Sequence, residues 1–203
     1  MGSSHNTHSF ERLLRETPEI ADYIRILLYI SGNADLPRSP SVQESLKLIS
    51  RLKSLTVWQH HTILELDWSN NPIRPALLHF LHLPTLTHFQ VTRIRDSVVS
   101  DLIPCVNLKN LYIGIYTTVA AETTFPAVLP EHAIQLNEFV AEIGSAAAIM
   151  KLCAARRPDG QPIIDFGSLS KITVVLKMPN EGEASQELLR RCHGLTNVSI
   201  SCE

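Results

Sequence analysis

The sequence predicts an α/β solenoid, with a parallel sheet on its concave face and helices and irregular arcs outside. Three observations carry that expectation: a six-residue template recurs, the arcs between copies are long enough for parallel crossovers, and most arcs carry helical signals. The template is an apolar residue, two free positions, an apolar residue, one free position, and a β-branched or apolar residue. It reads Leu52-Lys53-Ser54-Leu55-Thr56-Val57, Leu86-Thr87-His88-Phe89-Gln90-Val91 and Leu108-Lys109-Asn110-Leu111-Tyr112-Ile113. It returns at Leu136-Asn137-Glu138-Phe139-Val140-Ala141, Leu169-Ser170-Lys171-Ile172-Thr173-Val174 and Leu195-Thr196-Asn197-Val198-Ser199-Ile200. The first leucines are 34, 22, 28, 33 and 26 residues apart. Such periods mark arrays, and one L-x-x-L-x-L strand per unit is the leucine-rich-repeat signature. No unit could bury its strand face and helix stripe alone, so stacking shares one curved core. The competing arrangement is a compact sandwich around a doubly wound sheet of the same class.

Taken in order, residues 1–9 read as a polar tail and residues 10–203 as one repeat domain, with a cap over about 10–35 and repeats over about 36–203. Phe10 to Leu14 reads as a short helix ended before Pro18. The apolar run from Ile20 to Ile30 adds a first strand of open register, since Ile24/Leu27 and Leu27/Ile30 both fit the template. Ser41-Val42-Gln43-Glu44 has the form of a capping box, and Asn71-Pro72 offers an N-cap with proline at the first helical position. Leu77, Leu78, Phe80 and Leu81 make a helical face ended by Pro84. A short helix after Asp96 ends before Pro104. The alanine-rich span from Ser145 to Arg157 is strongly helical and stops at Pro158-Asp159-Gly160. Gly182 to His193 is the last helix, with Gly194 at the left-handed C-cap position. Trp58 to Asn71 and Thr117 to Pro130 carry no clean period, and the second reads as a long rim loop.

Composition narrows the function classes. Of 203 residues, 44% are hydrophobic and 19% charged, the balance of an ordered soluble chain. A formal charge of −2 gives no case for a nucleic-acid or anionic-membrane partner. The polar start Met1-Gly2-Ser3-Ser4-His5-Asn6 lacks the apolar region of a secretory signal. The longest apolar run, Ile143 to Leu152, is broken by Lys151 and is too short for a membrane span. Cys105, Cys153, Cys192 and Cys202 show no paired spacing, which predicts a cytoplasmic or nuclear setting with buried free thiols. The sequon Asn197-Val198-Ser199 falls in a predicted strand and is discounted.

Chemistry-bearing residues are present without a chemical pattern. His60-His61, His79, His82 and His88 lie close in sequence, and His79 and His82 could share a helix face. No carboxylate or cysteine completes a ligand spacing, so no metal and no cofactor is expected. Ser168-Leu169-Ser170-Lys171 matches S-x-x-K but runs into a strand and lacks its companion motifs. Cys153 could act as a nucleophile with His132, yet nothing in the spacing brings them together. Arg156-Arg157 and Arg190-Arg191 close predicted helices, where cations suit the negative end of the dipole. No catalytic residue is therefore assigned, and the chain is expected not to be an enzyme.

The template itself supplies a binding surface. Its second and third apolar residues point into the core, and the alternating residues point to the open sheet face. That assigns Ser54, Thr56, Trp58, His88, Gln90, Tyr112, Glu138, Lys171, Thr173, Asn197 and Ser199 to one surface. Trp58 and Tyr112 are of the types that dominate interface energetics. A protein partner is expected there.

The lead-in also carries a resemblance. Phe10, Leu13-Leu14 and Pro18-Glu19-Ile20-Ala21-Asp22-Tyr23-Ile24-Arg25, followed by Leu52-Lys53-Ser54-Leu55 and Leu86-Thr87, are similar to the region after the F-box in fungal F-box/leucine-rich-repeat proteins. The resemblance runs from about Phe10 onward. It implies a substrate receptor of a cullin-type ubiquitin ligase, in which the F-box docks the adaptor and the repeats hold the substrate. No Leu-Pro-x-Glu stretch precedes Phe10, so an adaptor partner is expected only for a longer form. The asparagine that regularly follows the strand in leucine-rich repeats is missing too.

Overall fold

Alternation of apolar and polar residues at period two makes strands of the template copies, and the long arcs force them to run parallel. The computed structural model describes residues 3–31, 40–60, 65–120 and 125–202. Helix α1 (Ser3–Glu16) and a 3-10 helix (Pro18–Tyr23) lead into β1 (Ile26–Ser31), α2 (Pro40–Leu46) and β2 (Ser54–Gln59). Then come β3 (Leu66–Asp67), α3 (Arg74–Leu81), β4 (His88–Thr92), β5 (Ile94–Arg95), a 3-10 turn (Val99–Leu102) and β6 (Asn110–Ile113). The chain continues through β7 (Ile134–Gln135), β8 (Glu138–Ala141), α4 (Ala146–Ala154), β9 (Ile164–Asp165) and a 3-10 turn (Phe166–Ser168). It finishes with β10 (Lys171–Leu176), α5 (Pro179–Arg191) and β11 (Asn197–Cys202).

Seven of these strands form one parallel sheet in the order β1-β2-β4-β6-β8-β10-β11. The order follows the chain without reversal, whereas a doubly wound sheet reverses at a switch point. Register is continuous: Ile26, Ser54, His88, Asn110, Glu138, Lys171 and Asn197 stand side by side. All six template copies are thus superposed position for position. Because Leu27 pairs with Leu55 and Tyr29 with Val57, the open register at the first strand resolves to Ile24/Leu27.

The core lies on one face of this sheet. Leu52, Leu86, Leu108, Leu136 and Leu169 form a buried row at the strand entrances, and Leu55, Phe89, Leu111, Phe139 and Ile172 a second row beside it. Helical residues Leu77, Phe80, Ile149 and Leu188 belong to the same cluster. At each strand entrance one carbonyl accepts two amides of the next repeat. Arg25 receives Lys53 and Ser54 at 2.8 and 3.0 Å, and Lys53, Thr87, Lys109, Asn137 and Ser170 each receive a pair in turn. Hydroxyls of Thr87, Ser170 and Thr196 add bonds at the same points. This backbone ladder, not an asparagine ladder, ties the repeats together.

The exits from β4, β6 and β8 are also built alike. Arg93 (φ 58°), Tyr116 (φ 52°) and Gly144 (φ 80°) are left-handed where the chain turns off the sheet. Carboxylates then bridge neighbouring exits. Glu142 accepts the Ile115 amide at 3.1 Å, and Glu181 accepts the amides of Gly144, Lys177 and Met178.

Several local expectations are corrected. Helix α1 begins at Ser3 and takes in most of the predicted polar tail. Helix α2 already includes Pro40, so Ser41 lies inside it and does not cap it. Helix α3 starts with Pro75 in its first turn, not Pro72, while Asn71 Oδ1 accepts the Ile73 amide at 3.1 Å just ahead of it. Helix α5 begins at Pro179, and Gly194 is not left-handed. A Cβ at Gly194 would stand 3.3 Å from the Gly167 carbonyl oxygen, so close backbone approach explains that glycine.

Candidate partner-binding face

Alternation sends the residues between the core positions to the opposite side of the sheet, where they line up in rows across the strands. The first row is Ser54, His88, Asn110, Glu138, Lys171 and Asn197; the second is Thr56, Gln90, Tyr112, Val140, Thr173 and Ser199. Trp58 and Thr92 open a third row at the strand exits. All the face residues expected from the sequence therefore fall on one side of one sheet, and all are partly or fully exposed. Sequence reasoning passed over Asn110 and Val140, which the template places as firmly as their neighbours. It also passed over Ile26, Leu28 and Ile30 of β1, because the register of that strand was open.

Several side chains on this face have partners, and among the described residues its one carboxylate and one ammonium pair with each other. Lys171 Nζ lies 2.7 Å from Glu138 Oε1, an ion pair joining adjacent strands. The Tyr112 hydroxyl donates to Glu142, whose other oxygen holds the Ile115 amide. Partial burial, and then the adjoining carboxylate, push the Tyr112 phenol well above its ordinary value. Thr87 Oγ1 and His88 Nδ1 are 2.8 Å apart. The Trp58 and His60 rings meet at 5.5 Å between centroids. Arg93 stands over the Tyr116 ring at 5.7 Å, the range of a cation–π contact. A face whose charges are paired internally offers shape, aromatic area and hydrogen bonds, not a field.

The other chemical candidates are scattered. His79 packs its ring on Phe80, and His82 Nε2 is 3.3 Å from the Asp101 carbonyl oxygen. His61 lies outside the described residues, among which no cluster of metal-ligating side chains occurs. Ser168 Oγ reaches the Leu136 carbonyl at 3.4 Å. Cys153 is buried, and that burial pushes its thiol up to about 11, against the thiolate a nucleophile needs. His132, its imagined partner, is exposed beside Glu131 at 3.8 Å. Cys105 is likewise buried and pushed up to about 12, whereas Cys202 is exposed, contrary to expectation. Among the helix-closing arginines, Arg156 donates to the Cys153 and Ala155 carbonyls, Arg157 pairs with Asp159 at 2.5 Å, and Arg190 and Arg191 both pair with Glu187. Among the described residues, no helix is long and apolar enough to cross a membrane. No family model matches the chain, and no curated protein or solved structure matches it either.

Proposed function

We propose that this chain is a non-catalytic protein-interaction module of the leucine-rich-repeat solenoid type, serving as the substrate-recognition repeats of an F-box-type ubiquitin ligase receptor. One observation carries the reading: six superposed template copies leave a continuous sheet face open, set with Trp58, Gln90, Tyr112 and the Glu138–Lys171 pair. A rigid face of that kind holds a protein surface by aromatic anchors inside a polar surround. The ligase role rests on the lead-in from Phe10 to Arg25, and the adaptor would be engaged by an F-box in a longer form.

The test is quantitative binding of a partner captured with the wild-type chain. Trp58→Ala and Tyr112→Ala should each weaken it by about 1–3 kcal/mol while the fold survives. Tyr112→Phe, which keeps the ring and removes only the bond to Glu142, should lose less. Unchanged binding in both alanine variants removes the open face from the account.

A further inference from the structure

We propose that the outer edge of β1 is a homodimer interface, at which two copies of this chain pair their β1 strands antiparallel about a two-fold axis through Leu28. Strand β1 stands at one end of the sheet and, among the described residues, pairs with β2 alone. Its hydrogen-bonding parity is fixed at both ends. The Arg25 carbonyl receives Lys53 and Ser54, and the Ser31 carbonyl receives His60. In a parallel ladder alternate residues face the same neighbour, so Arg25, Leu27, Tyr29 and Ser31 serve β2. The amides and carbonyls of Ile26, Leu28 and Ile30 therefore face outward.

The same three residues are exposed large apolar side chains, at 73%, 53% and 43%. Edge strands are ordinarily blunted by lysine, proline or a bulge, and Ile26-Leu27-Leu28-Tyr29-Ile30-Ser31 has no charge and no proline. At the other end of the sheet the open face of β11 carries Asn197, Ser199 and Ser201, and its exposed apolar residues, Val198 and Ile200, lie on the opposite, core side, so on the open face the apolar edge is that of β1.

The sequence of this edge selects its occupant. On the open face it reads Ile26, Leu28, Ile30, which is the same in both directions. An antiparallel pair centred on Leu28 sets Leu28 against Leu28 of the second copy and Ile26 against its Ile30. Every outward amide and carbonyl of the three residues then finds a partner. Arg25 falls opposite Ser31 and not opposite another arginine, so no like charges meet. Such an interface is isologous and closes at two copies. The two-fold axis stands perpendicular to the sheet, so both open faces look the same way and the two Trp58 rings flank a shared apolar centre.

Sedimentation equilibrium of the full chain tests this. The wild type should be a dimer at about 10–100 µM, and Leu28→Lys, whose new side chain points to solvent in the monomer, should raise the dimer dissociation constant at least about a hundredfold with an unchanged circular dichroism spectrum. Disulfide trapping tests the axis without relying on that variant. In a Cys202→Ser background, Leu28→Cys should form a linked dimer on mild oxidation, because residues directly opposed in a hydrogen-bonded antiparallel pair sit about 5.5 Å apart at Cα. Ile26→Cys should not link, since its copies would be roughly 14 Å apart along the strands. A monomeric wild type, a dimer indifferent to Leu28→Lys, or equal trapping at both cysteines would overturn the proposal.

Discussion

At the scale of single residues, the glycines separate two physical roles that sequence leaves mixed. Gly114 follows β6 and lies against Thr92 in the third row of the open face. A Cβ at Gly114 would meet Thr92 Oγ1 at 2.2 Å and Thr92 Cβ at 2.8 Å. Gly114→Ala should therefore destabilise the protein by about 1–3 kcal/mol, and Thr92→Gly in the same chain should recover most of the loss in urea unfolding. Gly182 gives the opposite sign. It lies inside α5, where an added methyl would have no neighbour within 4 Å, so Gly182→Ala should stabilise by about 0.5–1 kcal/mol. Neither role is legible locally. Gly114 depends on a residue one strand away, and Gly194 reads as a helix cap although backbone packing explains it. The left-handed Arg93 and Tyr116 are equally hidden, because a non-glycine φ above zero is imposed by the exit turn and not by the side chain.

At the scale of elements, the strands are legible where the helix boundaries are not, and the reason is physical. A strand in this sheet is specified by its own alternating residues and one buried row. A helix start depends on which side chain reaches a free amide, and that is decided by the neighbouring arc. Glu181 shows the point. It sits in the first turn of α5, and its carboxylate gathers amides from Lys177, Met178 and, across the repeat boundary, Gly144. Burial alone would raise its pKa, but the three amides together hold it below the usual 4.5. Its bonds thus contribute full stability above that value and lose it as pH falls through the lowered pKa of the folded state. Glu181→Gln should cost about 1–2 kcal/mol at neutral pH, and the difference between variant and wild type should shrink in acid below about pH 4. A difference that stays constant down to about pH 3 would mean that the charge is not what holds the two turns.

For the whole molecule, the repeat is what makes the fold legible. Six copies of one template carry the register, the strand order and the alternation of faces together, so that one correct reading places all of them. What remains obscure is whatever breaks the repeat, namely the register of β1, the arcs containing β3, β5, β7 and β9, and the apolar edge at Ile26 to Ile30. The candidate face shares that division, with its centre from Thr56 to Thr173 readable from the template and its apolar end at β1 unreadable until the register is known. Because each strand touches only its two neighbours, stability should grade along the array instead of being uniform. Leu111 of β6 is 1% exposed between two neighbouring strands, whereas Val198 of β11, at the equivalent template position, is 49% exposed and, among the described residues, has a neighbouring strand on one side only. Leu111→Ala should cost about 2–5 kcal/mol through a cavity that the flanking strands cannot close. Val198→Ala should cost under about 1 kcal/mol, since its methyl groups are half in water already. Amide exchange should follow the same gradient, fastest in β11 and slowest in β6 and β8. Equal protection along all seven strands would show that the sheet opens as one cooperative unit and that the nearest-neighbour account is wrong.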